Sequence, residues 1–165
     1  MRKLLLLAAL LAGTAIAADN WEPLRFLVGH WTGEGSGQPG SGGGAFSFEP
    51  DLQGKILVRK SYAEYPPANG RPASRHDDLM VVYREEGSPQ IRASYFDNEG
   101  HVIQYTVTPA PGAVVFESGG PPAGPRYRLT YTDAGTDKMA LRFEIAPPGK
   151  AYFTYLEGSA HRDSQ

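Results

Sequence analysis

From Ala45 onward the chain alternates apolar and polar residues with a period of two, in short runs broken by turn-forming residues. Arg126 to Thr132 sets Tyr127, Leu129 and Tyr131 on one face and Arg128, Thr130 and Thr132 on the other. Met139 to Ile145 sets Met139, Leu141, Phe143 and Ile145 against Ala140, Arg142 and Glu144. Residues two apart share a face only in extended backbone, so these runs are strands with one side buried.

Similar runs occupy Ala45–Phe48, Ile56–Tyr65, Leu79–Tyr83, Ile91–Phe96, Val102–Thr108, Ala113–Glu117 and Tyr152–Gly158. Between them lie Leu52-Gln53-Gly54-Lys55, Asp97-Asn98-Glu99-Gly100, Pro109-Ala110-Pro111-Gly112, Asp133-Ala134-Gly135-Thr136 and Pro147-Pro148-Gly149-Lys150. Each carries the Gly, Pro, Asn or Asp that tight turns require. Longer loops are expected at Tyr65–Pro72 and at Gly119-Gly120-Pro121-Pro122. With a further strand opening at Trp31, about ten antiparallel strands follow one another through short connections. Such an up-and-down order closes most simply into a barrel, with a sandwich as the alternative. One helical segment, Trp21 to Leu27, precedes the strands as a turn or two.

The opening residues read as a secretory signal peptide, residues 1–17: Arg2 and Lys3, an apolar run from Leu4 to Leu11, and a small-x-small site at Ala15-Ile16-Ala17. Residues 18–165 are then a single exported domain, periplasmic or secreted, with no membrane span expected. Export favours disulfides, yet the chain has no cysteine, so a hydrophobic core must stabilise it. Nine Tyr, seven Phe and two Trp can supply that core, while Gly and Pro, about a fifth of the residues, cluster between the strands. The net charge of −2 becomes −4 once Arg2 and Lys3 are removed, which gives no electrostatic reason to bind nucleic acid.

Gly29-His30-Trp31, after the helical turn and at the first strand, resembles the G-x-W signature of the lipocalins and their calycin relatives. The resemblance implies a calycin-type barrel whose short helix plugs one end, with Trp31 across that floor and an Arg of the last strand, here Arg162, stacked on its ring. Gly29-His30-Trp31-Thr32-Gly33-Glu34-Gly35-Ser36-Gly37 is also similar to the opening of the nitrobindins, haem-binding ten-stranded barrels. That likeness implies a haem ligand near the C-terminus, and His161 matches by position. The chain resembles still more closely a set of uncharacterised secreted bacterial barrels related to both.

Candidate sites follow from these expectations. Tyr127, Leu129, Tyr131, Leu141 and Phe143 would line a lumen able to take a small apolar or amphipathic molecule, with Arg59, Arg128 or Arg142 adding charge at a rim. His76-Asp77-Asp78, expected at a loop-to-strand junction, is the one place where an imidazole and carboxylates crowd together, and marks His76 and Asp78 as catalytic candidates. Adjacent strand residues alternate faces, so at most two of the three can share a site. Gly35-Ser36-Gly37-Gln38-Pro39-Gly40 spells G-x-G-x-x-G but runs on into a strand, not a helix, and reads as a loop. The four histidines show no metal-ligand spacing. A monomer that binds a small molecule without chemistry is expected, with a dimer left open.

Overall fold

The computed structural model describes residues 19–34, 43–68, 70, 72–120 and 124–164. The signal-peptide segment, the G-x-G-x-x-G run of residues 35–40, and Pro121 and Pro122 of the Gly119–Pro122 loop lie outside the described residues.

Ten strands form one closed antiparallel barrel, each strand paired with its neighbours in sequence and the last with the first. They are β1 (Gly29–Glu34), β2 (Gly43–Asp51), β3 (Ile56–Tyr65), β4 (Ser74–Arg84), β5 (Ile91–Asp97), β6 (Val102–Ala110), β7 (Ala113–Ser118), β8 (Arg126–Asp133), β9 (Lys138–Ala146) and β10 (Phe153–Arg162). Closure leaves no unpaired edge, the hazard of any open sheet. It also excludes the sandwich. The architecture is consistent with a calycin-like fold. No helix among the described residues is long and apolar enough to cross a membrane.

Several strands reach further than the alternation indicates, β2, β4 and β10 the most. β4 begins at Ser74, so His76, Asp77 and Asp78 lie inside a strand and not at its junction with a loop. β10 continues to Arg162, with an irregularity between Thr154 and Leu156 that leaves Tyr155 as an extra residue. At the β2–β3 turn, Leu52 and Gln53 take φ of 49° and 57° ahead of Gly54 at 77°, so two residues with side chains share the left-handed backbone with the glycine.

The N-terminal segment Asp19–Leu27 is a 3-10 helix. Its backbone kinks at Trp21 (φ −116°); Trp21, Leu24 and Leu27 are buried, and Leu24 and Leu27, one three-residue turn apart, share a face. That face closes one end of the barrel. Trp21 Nε1 donates to the Gly54 carbonyl at 3.0 Å, fixing the helix to the β2–β3 turn. Trp31 Nε1 donates to the Leu27 carbonyl at 2.9 Å.

Arg162 ties this floor together. Its guanidinium lies 4.2 Å from the centroid of the Trp31 ring, and its two Nη atoms donate to the carbonyls of Phe26 and Val28. Carbonyls at a helix C-terminus lack partners within the helix, and a cation there supplies them. Gly29 is required at the same place for two reasons. Its φ is +130°, and a Cβ on it would lie 2.3 Å from Arg162 Nη1. The first and third residues of Gly29-His30-Trp31 therefore serve one arrangement: Trp31 offers the ring, and Gly29 leaves room for the guanidinium over it.

Gly29→Ala is expected to cost about 1–3 kcal/mol from backbone strain and displacement of Arg162. Urea denaturation of parent and variant measures it; equal stabilities would show that Gly29 does not hold the floor.

Candidate functional site

The barrel interior divides at mid-height. Toward the helix it is filled: Phe48, Leu57, Met80, Val82, Ala93, Val114, Phe116 and Met139 are fully buried. Tyr131 sits at the centre of this packing, with ring centroids of Phe46, Phe48 and Phe116 at 5.8, 5.5 and 5.9 Å. At the other end, the inner faces stay partly accessible. Ile103, Tyr127, Leu129 and Leu141 are half-buried although they pack against the core. Phe143 is Leu129's register partner and stacks on Tyr127 at 6.0 Å with ring planes 8° apart.

The sequence-selected lining residues thus share one wall, made by β8 and β9. Tyr127, Leu129, Leu141 and Phe143 face the open half, and Tyr131 lies deeper in the aromatic packing, 1% exposed. Arg128 and Arg142 alternate with them and so belong to the outer wall, not to a rim. Arg128 there holds Glu144 through two hydrogen bonds of 2.7 and 2.8 Å.

The opposite wall, β3 to β5, is polar. On β4 the alternation turns His76 and Asp78 inward with Met80 and Val82, while Asp77 faces out and pairs with Arg75 at 2.8 Å. Arg59, on the inner face of β3, pairs with Asp78 and also hydrogen-bonds the Tyr131 phenol. β3 and β8 are five strands apart in either direction around the ten-stranded ring. Arg59 and Tyr131 therefore meet from opposite walls of the barrel, far inside the rim. Its register partners are Phe48 and Met80, yet it contacts Phe46 and Asp78, each two residues nearer the open end. The guanidinium leans upward and forms the base of the accessible half.

From there a chain of hydrogen bonds climbs to the rim. The Tyr95 hydroxyl donates to Asp97 Oδ2 at 3.2 Å and receives His76 Nε2 at 3.0 Å. His76 Nδ1 lies 3.3 Å from Glu99, and His101 Nδ1 lies 2.8 Å from Asp97. Burial opposes the charge on Asp97, whose side chain is 3% exposed, but donors outweigh it. The backbone N–H groups of His101 and Glu99 and the His101 ring hold its carboxyl below the ordinary range. Burial, and then the Asp78 carboxylate, push the Tyr95 phenol up. Burial also raises Tyr131 and Tyr105, so the phenols of this interior stay in their OH form.

His76 therefore has a carboxylate neighbour, but it is Glu99 from the β5–β6 turn. Asp78 is 3.9 Å from the ring and is committed to Arg59. His161 shares its strand face with the register partners Thr32 and Lys138, the outer side of β10, whereas Ala160 and Arg162 face in. An axial haem ligand would have to come from the inner face. His30, paired with Glu49 at 3.0 Å, also lies on the outer face and is exposed. A groove of about 560 Å³ opens among His30, Lys60, Tyr62 and Phe96 of the outer wall and the inner-face residues Phe46, Asp78 and Asp97. Among the described residues no cluster of three or more metal-binding side chains occurs.

Asp78→Asn strands a buried guanidinium and is expected to destabilise the fold by about 3–5 kcal/mol. Arg59→Met/Asp78→Asn, which removes both charges, should recover most of that loss. A double variant no more stable than Asp78→Asn alone would contradict the pairing. Comparison with known proteins finds no family model that matches the chain and no curated protein that matches it.

Proposed function

We propose that this chain is an exported calycin-type barrel that carries a small apolar or amphipathic molecule in the open half of its lumen. The observation that carries the reading is the division of the interior. One half is packed to closure by aromatic and aliphatic side chains. The other leaves Tyr127, Leu129, Leu141 and Ile103 partly accessible on the inside of the wall. Small-molecule sites are concave, mostly apolar and equipped with a few placed polar groups. Here the apolar wall of β8 and β9 faces the polar wall of β4 and β5, which suits a molecule with one face or end of each character. Export to the periplasm or beyond belongs to the same reading and rests on the signal-like residues 1–17.

The test is direct binding of a neutral environment-sensitive naphthalene dye to the purified domain. One dye per chain should bind with enhanced emission. Leu141→Trp, which places an indole in the accessible half, should weaken binding at least about tenfold while the melting temperature stays within a few degrees. Absence of binding, or binding indifferent to Leu141→Trp, would refute the lumen as the site.

A further inference from the structure

One register row crosses the outer face of the barrel from β1 to β6: His30, Ser47, Lys60, Leu79, Phe96 and Val102, each the cross-strand partner of the next. Direct partners on one face are neighbours, so the row is a continuous surface. Its character changes halfway. His30, Ser47 and Lys60 are polar, whereas Leu79, Phe96 and Val102 are apolar, with Phe96 42% and Val102 62% exposed. The groove of about 560 Å³ follows the row from His30 to Phe96. Ala45 and Ser47 on β2 are short, and Tyr62 and Phe96 on β3 and β5 stand higher. That volume falls within the range of small-molecule sites.

The charges around the groove are mostly matched within the chain. Arg75 binds Glu64 and Asp77 and lies over the Tyr62 ring. His30 binds Glu49, Asp78 is held by Arg59, and Asp97 by His101. Asp163 accepts the Thr32 hydroxyl on β1, two strands from Lys60. Lys60 differs. Among the described residues no carboxylate comes within ion-pair distance of its ammonium, and its partner on β4 is Leu79.

We propose that this groove binds a small amphipathic monocarboxylate, with the anionic head on the Lys60 ammonium and the apolar body laid across Leu79 and Phe96 toward Val102. Neighbouring strands lie about 4.8 Å apart, so Phe96 is about 10 Å and Val102 about 14 Å from Lys60 along the row. Two linked aromatic rings carrying one carboxylate cover that reach. A cation would meet Lys60 and Arg75 where it needs acceptors. A neutral apolar molecule would cover only half of the row and leave the ammonium without a counter-ion. The site is built from outward-facing side chains and does not depend on the lumen reading.

Biphenyl-4-carboxylate and the matching neutral alcohol, biphenyl-4-methanol, test this. The methyl resonances of Leu79 and Val102 report on the groove, and those of Leu129 and Leu141 on the lumen. The carboxylate is expected to shift Leu79 and Val102 and to bind there about fivefold more tightly than the alcohol, the advantage of one partly exposed ion pair. Lys60→Met should bring the two probes within about twofold of each other. Phe96→Ser should weaken the carboxylate about tenfold by removing apolar contact. Both side chains are exposed, so the melting temperatures should stay within a few degrees of the parent. Equal binding of the two probes at Leu79 and Val102, or a carboxylate preference that survives Lys60→Met, would overturn the inference. So would shifts at Leu79 and Val102 on concentrating the protein without probe, which would show a second copy covering the row. If the carboxylate moves only Leu129 and Leu141, the groove site falls and the lumen reading stands. If it moves only Leu79 and Val102 while the neutral naphthalene dye moves nothing, the groove site stands and the lumen reading falls.

Discussion

A guanidinium can stay charged inside a protein only if its donors find acceptors, and Arg59 finds them on opposite walls of the barrel. Burial disfavours its charge, but the Tyr131 phenol and the Asp78 carboxylate more than offset that, and its pKa is raised. That requirement shapes the rest of the interior. Tyr131 must reach the axis from β8, and it does so by packing among Phe46, Phe48 and Phe116. Asp78 must turn inward from β4, which brings His76 inward two residues earlier and sets the polar wall. Nearer the rim, Ile103, Tyr127, Leu129 and Phe143 on the inner face stay partly accessible.

The second constraint is at the floor. A barrel of ten strands is too wide for its own side chains to seal an end, and the 3-10 helix does so with Trp21, Leu24 and Leu27. The helix is short, and its C-terminal carbonyls need donors. Arg162 supplies them and at the same time stacks on Trp31, whose indole N–H meets Leu27. One arginine thus joins the last strand, the first strand and the helix. The opposite end is framed by the His76–Tyr95–Asp97–His101 hydrogen bonds.

Much of this is legible in the sequence. The alternation in β8 and β9 is clean because one side of each strand is apolar throughout, and it identifies the wall formed by Tyr127, Leu129, Leu141 and Phe143. β4 reads poorly for the converse reason. Its inner residues near the rim are His76 and Asp78, so the run Arg75 to Asp78 is polar on both faces and hides four residues of strand. The parity was nevertheless present: Asp78 is in step with Met80 and Val82, and Arg59 with Leu57. A charge on the apolar parity of each of two neighbouring strands is the signal of a buried pair. Alternation gives direction but not depth, so Arg59 read as a rim residue. Glu99 carries no such signal, because it comes from a turn whose side chains have no fixed parity.

The central claim is that a small molecule enters the half of the lumen opposite the helix. Methyl-labelled nuclear magnetic resonance of the domain, with and without the neutral naphthalene dye, tests it most directly. The account predicts shifts at Leu129, Leu141 and Ile103, with little change at Leu57, Val82 and Val114 in the packed half. Shifts confined to Leu79 and Val102 on the outer wall, or spread evenly through both halves, would contradict it.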